Sequence, residues 1–562
     1  TLLTAEEQTF LERKVRETDT WLAGGIEPYY DKNEPFPPSS AARKTLRYRA
    51  ERVHDFAWFA DKRFRVQRSQ VEVGGRQVDT WAFFTAYEQH LWQRAVDYVD
   101  RAVLFYSERV GDYPYPQATA VQSALSAGSG MEYPMITVIG PAYTAAGLDE
   151  VITHEVGHNW FYGILAFHER RHPWMDEGIN TYYEQRYMRR YHGPPAFDDY
   201  LPAFLQGRSD MSFYELAYLY QARRRRDQAP DTPSEELTEI NYVLGAYQKP
   251  AEAFRLLEHY LGRDAFDGLM QGFYRAWQFR HPYPEDLQRY LEAESGKDLD
   301  WLFDGLLGSN RPLDYALSGL SRGAGGSYEV EVRNKGGVAA PFALSGLRGD
   351  SIVATQWYEG FEGSSTLSFP AGDYEALAID ARRIAPELYR RNNRIRTEGL
   401  FPRLAPPRLS LLPTIEDDAR TQLYLLPAAG WNNYDGLMLG ALLYNTTVPA
   451  RRFEFALAPM YGFGSKALAG TGRLAYHFYP GGRAVQEVTI GLGGQRFHFF
   501  RNAEQDYRLQ YGRLMPFLRV ELGKAPASTF TQELQWRTLW IGEEAAEFSA
   551  EGAFTGTVRD DT

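Results

Sequence analysis

The chain has no cysteine among its 562 residues. No disulfide can staple it, and any metal it holds must be bound through histidine and carboxylate rather than thiolate. No apolar run approaches the roughly eighteen residues that a membrane-spanning helix needs, so none is expected. Positive charge is in deficit. Lys and Arg number 61 against 73 Asp and Glu, a net charge of −12, which argues against a nucleic-acid partner. The sequence opens on Thr1 without a signal-like apolar stretch and reads as a piece of something longer. What the chain does have is core material: 44% of it is hydrophobic and 15% aromatic. That composition excludes bulk disorder, and the length allows roughly three or four domains.

Histidine is scarce, at 11 residues, which gives weight to His154-Glu155-Val156-Gly157-His158. Chance would supply only about 0.03 matches to a His-acid-x-x-His pattern at this composition. Leu148, Val151, Ile152 and Glu155 recur at the period of a helix face. On such a helix His154 and His158 are i and i+4, with imidazoles one turn apart on the same side. Zinc takes such a pair readily, and a catalytic site then needs a third protein ligand and an open position for water. Glu155 stands beside the pair as a base for that water. Glu177 follows in PWMDEGINTYYE, which reads as the start of a second helix after Pro173. Glu184, two helical turns further on the same face, fits either a carboxylate holding a ligand histidine's free N–H or a solvated surface acid.

Upstream, Gly128-Ser129-Gly130-Met131-Glu132-Tyr133-Pro134 precedes MITVIG, a strand. Glycine permits close backbone approach, and Pro134 suits an edge strand whose free edge could bind an extended peptide through Gly130 and Met131. Glu132 at such an edge could hold a cation, although a strand glutamate is more often simply solvated. Tyr247 precedes a helix expected from Pro250 to Leu261, with Gly262 just past its end. Composition alone does not single it out among 38 tyrosines. His54 and Asp55 read as structural. Residues 223–226, four arginines in a row, read as a solvated loop.

The fold class expected is multidomain α+β. Residues 1–86, with strands over 45–85 and a turn at Gly74-Gly75, form a β region. Residues 87–311 form a mainly helical catalytic domain, 312–383 a small β-sandwich, and 384–415 a Pro- and Arg-rich linker. In 416–562, RRFEFALAPMYGF sets Phe453, Phe455, Leu457, Tyr461 and Phe463 on one face and Glu454, Ala456, Ala458 and Gly462 on the other. Several later segments repeat that alternation. It suggests part of an outer-membrane β-barrel, with roughly six to eight strands forming an incomplete, curved sheet. A soluble sandwich with one buried face is the alternative.

GMEYP, HEVGHNW, WMDEG and YQKP, in that order and spacing, resemble the zinc aminopeptidases of the alanyl aminopeptidase type, gluzincins with a thermolysin-like catalytic domain. The likeness covers roughly residues 40–310. It implies one zinc ion per chain on His154, His158 and Glu177, with Glu155 as general base and then acid. It further implies that Glu132 takes the substrate's α-ammonium and Tyr247 stabilises the tetrahedral intermediate. The sequence departs from the family at Tyr133, where Asn is common, and at Tyr162-Gly163, where Gly-Asn is common. Most of the family's N-terminal β domain and its C-terminal helical domain are missing. The trailing strands resemble Bacteroidetes-type proteins in which such a peptidase is joined to an outer-membrane barrel. The expected function is therefore removal of N-terminal residues from peptides in the periplasm or at the cell surface, with outer-membrane lipid as a second partner. An endopeptidase or other hydrolase on the same zinc, or a transport or assembly protein whose peptidase-like domain only binds peptides, are the competing functions.

Overall fold

Gly74 and Gly75, at φ 55° and 74°, make the tight turn of a hairpin between β1 (Arg65–Val73) and β2 (Arg76–Phe84). In the computed structural model, which describes residues 5–23, 40–86, 88–123, 125, 130–193, 212–481, 484–526 and 528–561, this hairpin starts a five-stranded sheet. β2 runs parallel to β3 (Gln117–Gln122), β3 parallel to β5 (Ile136–Ile139), and β4 (Gly130–Met131) closes the far edge antiparallel to β5. The expected boundary at residue 86 thus falls inside one sheet. Gly128 and Ser129 lie outside the described residues. The strands expected from residue 45 begin only at Arg65. The preceding stretch is extended, and Tyr115 donates its hydroxyl to the Arg52 carbonyl, but no ladder partner runs beside it.

The helices that matter most are α1 (Ala95–Arg109), α2 (Ala145–His158), α3 (Ile179–Tyr191) and α4 (Lys249–Leu261). Thr144 caps α2 by accepting from the Gly147 N–H at 2.9 Å. Leu148, Ile152 and Val156 are buried on its inner face. α4 starts one residue before the expected Pro250 and ends where Gly262 turns the backbone to φ 88°.

Residues 315–396 hold a three-stranded and a four-stranded sheet that share a continuous core with the helical body. The strand Arg394–Arg396 completes the second of these sheets, and Arg390 is buried against Asp380 at 2.6 Å. Residues 384–396 therefore pack as part of the sandwich rather than as a linker. Their arginines find acceptors inside the fold.

The last sheet has ten strands between Pro407 and Asp561, more than the alternation suggested, because two are short (Pro407–Ser410, Glu533–Arg537). It is antiparallel except for its first pair, and it is open among the described residues. Its outward side chains are large and apolar: Trp431, Leu468, Trp536 and Trp540 are all more than half exposed. The other face buries Met438, Met460 and Ala469 together with polar Glu487 and Thr489. The 223–226 loop docks on this sheet and is not simply solvated. Arg226 donates to both carboxylate oxygens of Glu521 at 2.8 Å, and Gln486 donates to the Arg224 carbonyl at 2.8 Å.

Candidate metal centre

α2 carries His154, Glu155 and His158 into the space beneath the five-stranded sheet. Two features let it sit there. Gly157 faces Asn180 and Tyr106, and a Cβ at that position would lie 2.1 Å from Asn180 Oδ1. Through that gap Tyr106 donates to Asn180 Oδ1 (2.8 Å) and Asn180 donates to the His154 carbonyl (2.7 Å), tying α1, α3 and α2 together. Gly130 faces Glu155, and a Cβ there would lie 2.0 Å from Glu155 Oε1. The close approach that Gly130 permits is thus that of the glutamate carboxylate, not only that of a ligand.

Glu177 comes from a widened, π-type turn, Trp174–Gly178, that leads into α3. Tyr247 comes from another, Tyr242–Gln248, that leads into α4. Such turns recur at functional sites because they shift a side chain off the regular helical register. Gly178 allows its turn to touch the second turn and α4, since a Cβ there would lie 2.8 Å from the Ala246 carbonyl oxygen and 2.4 Å from Pro250 Cβ.

The result is a triangle of lone pairs. His154 Nε2 and His158 Nε2 are 3.0 Å apart, and Glu177 Oε2 lies 3.2 Å and 3.1 Å from them. The outer nitrogens set the tautomers. His154 Nδ1 is 2.9 Å from Glu184 Oε2, and His158 Nδ1 is 2.6 Å from Asp176 Oδ1, so each ring directs Nε2 inward. Tyr247 donates to Glu177 Oε1 at 2.6 Å, which turns Oε2 toward the histidines. At zinc–nitrogen and zinc–oxygen bonds of about 2.0–2.1 Å, tetrahedral ligands stand about 3.3 Å apart, so the three donor atoms fit such an ion. The electrostatics also call for a cation. Burial disfavours charge on His154, yet Glu177 and Glu184 raise it to about 10, while His158 and His154 hold Glu177 well below the usual carboxylate range against its own burial.

Glu155 is 6% exposed, and its Oε2 has no hydrogen-bond partner. Burial raises its pKa to about 7, partly offset by His154 and His158. That is the range of a general base at neutral pH. Glu132 follows β4 directly. Burial, against the pull of His158, pushes it up to about 8. Its carboxylate lies within 4.8 Å of those of Glu169 and Asp176. Met131 pairs with Val138 on the inner side of β4, and its carbonyl accepts from Thr137 at 3.0 Å.

Sequence reasoning missed Asp176 and Glu169. Asp176 was visible as the residue before Glu177. Nothing in the spacing of Glu169 points to the fold that brings it beside Glu132. Asp55 and His54 also reach this region. Asp55 accepts the Tyr162 hydroxyl, and the His54 ring meets Tyr162 edge-on at 4.3 Å. His172 and His192 hold Asp231 and Asp149, away from the triangle.

Residues 94–306 match the domain described as Peptidase family M1 domain. Aminopeptidase 2 of Candida albicans is 23% identical over 230 residues, covering 38% of this chain and 24% of the relative. Aminopeptidase M1-C of Oryza sativa subsp. japonica is 22% identical over 222 residues, covering 36% and 24%. The chain thus spans about a quarter of the length of these relatives. The crystal structure of Legionella pneumophila aminopeptidase A in complex with aspartic acid superposes with a TM-score of 0.45 at 14% identity, over 58% of this chain and 38% of that one.

Proposed function

Residues 94–306 are a peptidase family M1 domain, and from that premise we propose that the protein is a zinc-dependent aminopeptidase acting on peptides with a free N-terminus. The observation that carries this reading is the triangle of His154, His158 and Glu177, with edges of 3.0–3.2 Å, beside the buried, unpartnered Glu155 carboxylate. His154, His158 and Glu177 would hold the zinc ion, which when bound would supply Lewis-acid polarisation of the scissile carbonyl. Glu155 removes a proton from the attacking water and returns it to the leaving amine. Tyr247 lies against the triangle, its ring stacked on His154 at 5.8 Å. From there its hydroxyl turns from Glu177 to the developing oxyanion.

Glu132 accepts the α-ammonium, and Glu169 adds a second carboxylate from within the same domain. An extended substrate joins the outer edge of β4 by main-chain hydrogen bonds. With the ammonium fixed at Glu132, the first peptide bond is the one presented for cleavage.

Elemental analysis of the purified protein beside a His158→Ala variant tests the metal; equal zinc in both would remove the assignment. Rates on one peptide with a free and with an acetylated N-terminus test the exopeptidase claim. Comparable rates would replace it with an endopeptidase.

The C-terminal sheet anchors the peptidase to the outer membrane, with the catalytic body in the periplasm. Its exposed apolar face supports this reading, since such a surface needs lipid or a partner to cover it. Recovery of the full-length gene product as a detergent-independent soluble protein on cell fractionation would contradict it.

A further inference from the structure

Where the 223–226 loop meets the C-terminal sheet, the protein forms a half-open pocket of about 510 Å³. Arg223, Arg224, Arg391, Arg451 and Arg452 line it, with Glu416 as the acid among the lining residues. Glu416 is taken by Arg223 at 2.6 Å. The other four guanidiniums have neutral partners. Arg391 donates to the Thr421 hydroxyl at 3.3 Å, and Arg452 to the Tyr389 hydroxyl at 3.0 Å. Arg451 donates to the Gln422 carbonyl and side-chain oxygens at 3.4 Å and 3.0 Å, and its buried Nε has no partner. Arg224 donates to the Tyr220 hydroxyl. Stacking fixes the forks in place: Arg223 and Arg452 lie 5.2 Å and 5.1 Å from the Tyr389 ring centre, and Arg224 lies 4.0 Å from that of Tyr220.

Other arginines of this chain are matched by carboxylates: Arg186 meets Asp267 at 2.6 Å, Arg390 meets Asp380 at 2.6 Å, and Arg226 meets Glu521 at 2.8 Å. Five guanidiniums beside the single Glu416 carboxylate repel one another in a partly dry space, and an anion would offset that repulsion. A second carboxylate would neutralise only one of the remaining four. A phosphoryl group carries about −1.5 to −2 and three acceptor oxygens, and it matches bidentate guanidinium donors. The aromatic wall of Phe453, Phe455, Tyr476 and Tyr479 accommodates an organic remainder.

We propose that this cavity is a binding site for a phosphate monoester or phospholipid headgroup, held by Arg391, Arg451 and Arg452 at the junction of the peptidase body and the C-terminal sheet. The test uses the full-length protein in three arms. Inorganic phosphate and glycerol phosphate are titrated calorimetrically. Flotation is measured with phosphatidylcholine vesicles made with and without phosphatidic acid. The wild type should bind the phosphate probes, and Arg451→Gln or Arg391→Gln should weaken binding roughly tenfold or more, as expected for loss of a charge-assisted hydrogen bond. Arg452→Gln, at a more exposed position, serves as the second variant if the buried ones misfold, and retained zinc content monitors the fold. Flotation that requires phosphatidic acid and falls with the substitutions identifies a lipid headgroup. Binding of the soluble probes alone identifies a free phosphate ester. Absence of phosphate binding in the wild type, or unchanged affinity in folded variants, overturns the site.

Discussion

Trp92, Trp160 and Trp174 in the peptidase body are at most 1% exposed, whereas Trp431, Trp536 and Trp540 in the C-terminal sheet are 70%, 61% and 56% exposed. Both regions bury polar groups. In the body, His158, Glu155, Asp176 and Glu177 are buried in one cluster beside His154. In the sheet, Glu487 and Thr489 are buried on one face while large aromatics of the other are exposed. The two regions therefore present different surfaces. The body hides apolar surface from water, and one cluster of its buried polar groups stands where chemistry is proposed. The sheet presents apolar surface outward, which is the arrangement expected where lipid replaces water. Substitutions in each region should respond accordingly.

The largest expected effect is at Glu155, whose buried Oε2 has no hydrogen-bond partner. Glu155→Gln is isosteric and spares His154, His158 and Glu177, so zinc content should remain while kcat falls by roughly 10²–10⁴. Near-normal turnover would assign the base elsewhere. Next is Trp160→Ala. Trp160 is fully buried, donates to the Gly111 carbonyl at 2.7 Å and stacks on Tyr106 at 5.2 Å. Its removal should cost about 3–5 kcal/mol by chemical denaturation. Tyr247→Phe follows. It should lower kcat by roughly 10²–10³ with KM little changed if the hydroxyl serves the oxyanion. A raised KM, or loss of zinc, would mean that the 2.6 Å bond to Glu177 is its main task. Glu132→Ala should lower kcat/KM for a free-amine dipeptide by roughly 10–150-fold and leave slow cleavage of the acetylated peptide unchanged. If Glu169 shares the ammonium, the loss falls at the low end of that range, and Glu132→Ala/Glu169→Ala together extend it.

The donor triangle was legible because its parts are local. His154 and His158 are one helical turn apart, and Glu177 opens the next helix. Tyr247 and Glu132 became legible only through resemblance, because their spacing to the motif carries no geometric constraint by itself. Glu169 was illegible, since its approach to Glu132 depends on how the stretch after α2 folds back. The same limit explains the arginines of 223–226 and 390–391. Consecutive charges look solvated in sequence, and only tertiary packing shields Arg223 against Glu416 and Arg390 against Asp380. The segment before Arg65 failed in the opposite sense: its alternation was real, but alternation does not supply a neighbouring strand.

The smallest expected effect, Trp536→Ala, decides the comparison most directly. Trp536 lies on Glu533–Arg537, a short strand paired only with the longer Tyr507–Leu522, and it is 61% exposed. If its ring faces detergent or lipid in both the wild type and the variant, removing it leaves no cavity. The shift in unfolding free energy of the detergent-solubilised protein should then stay within about 0.5 kcal/mol. The same truncation at Trp160 creates a void that surrounding groups cannot fill. A loss at Trp536 close to that at Trp160 would mean that the outer face is covered by protein, and the sheet would then obey the same rule as the body. A negligible loss, joined to retention of the protein in the membrane fraction, would leave lipid as the material the aromatic face contacts.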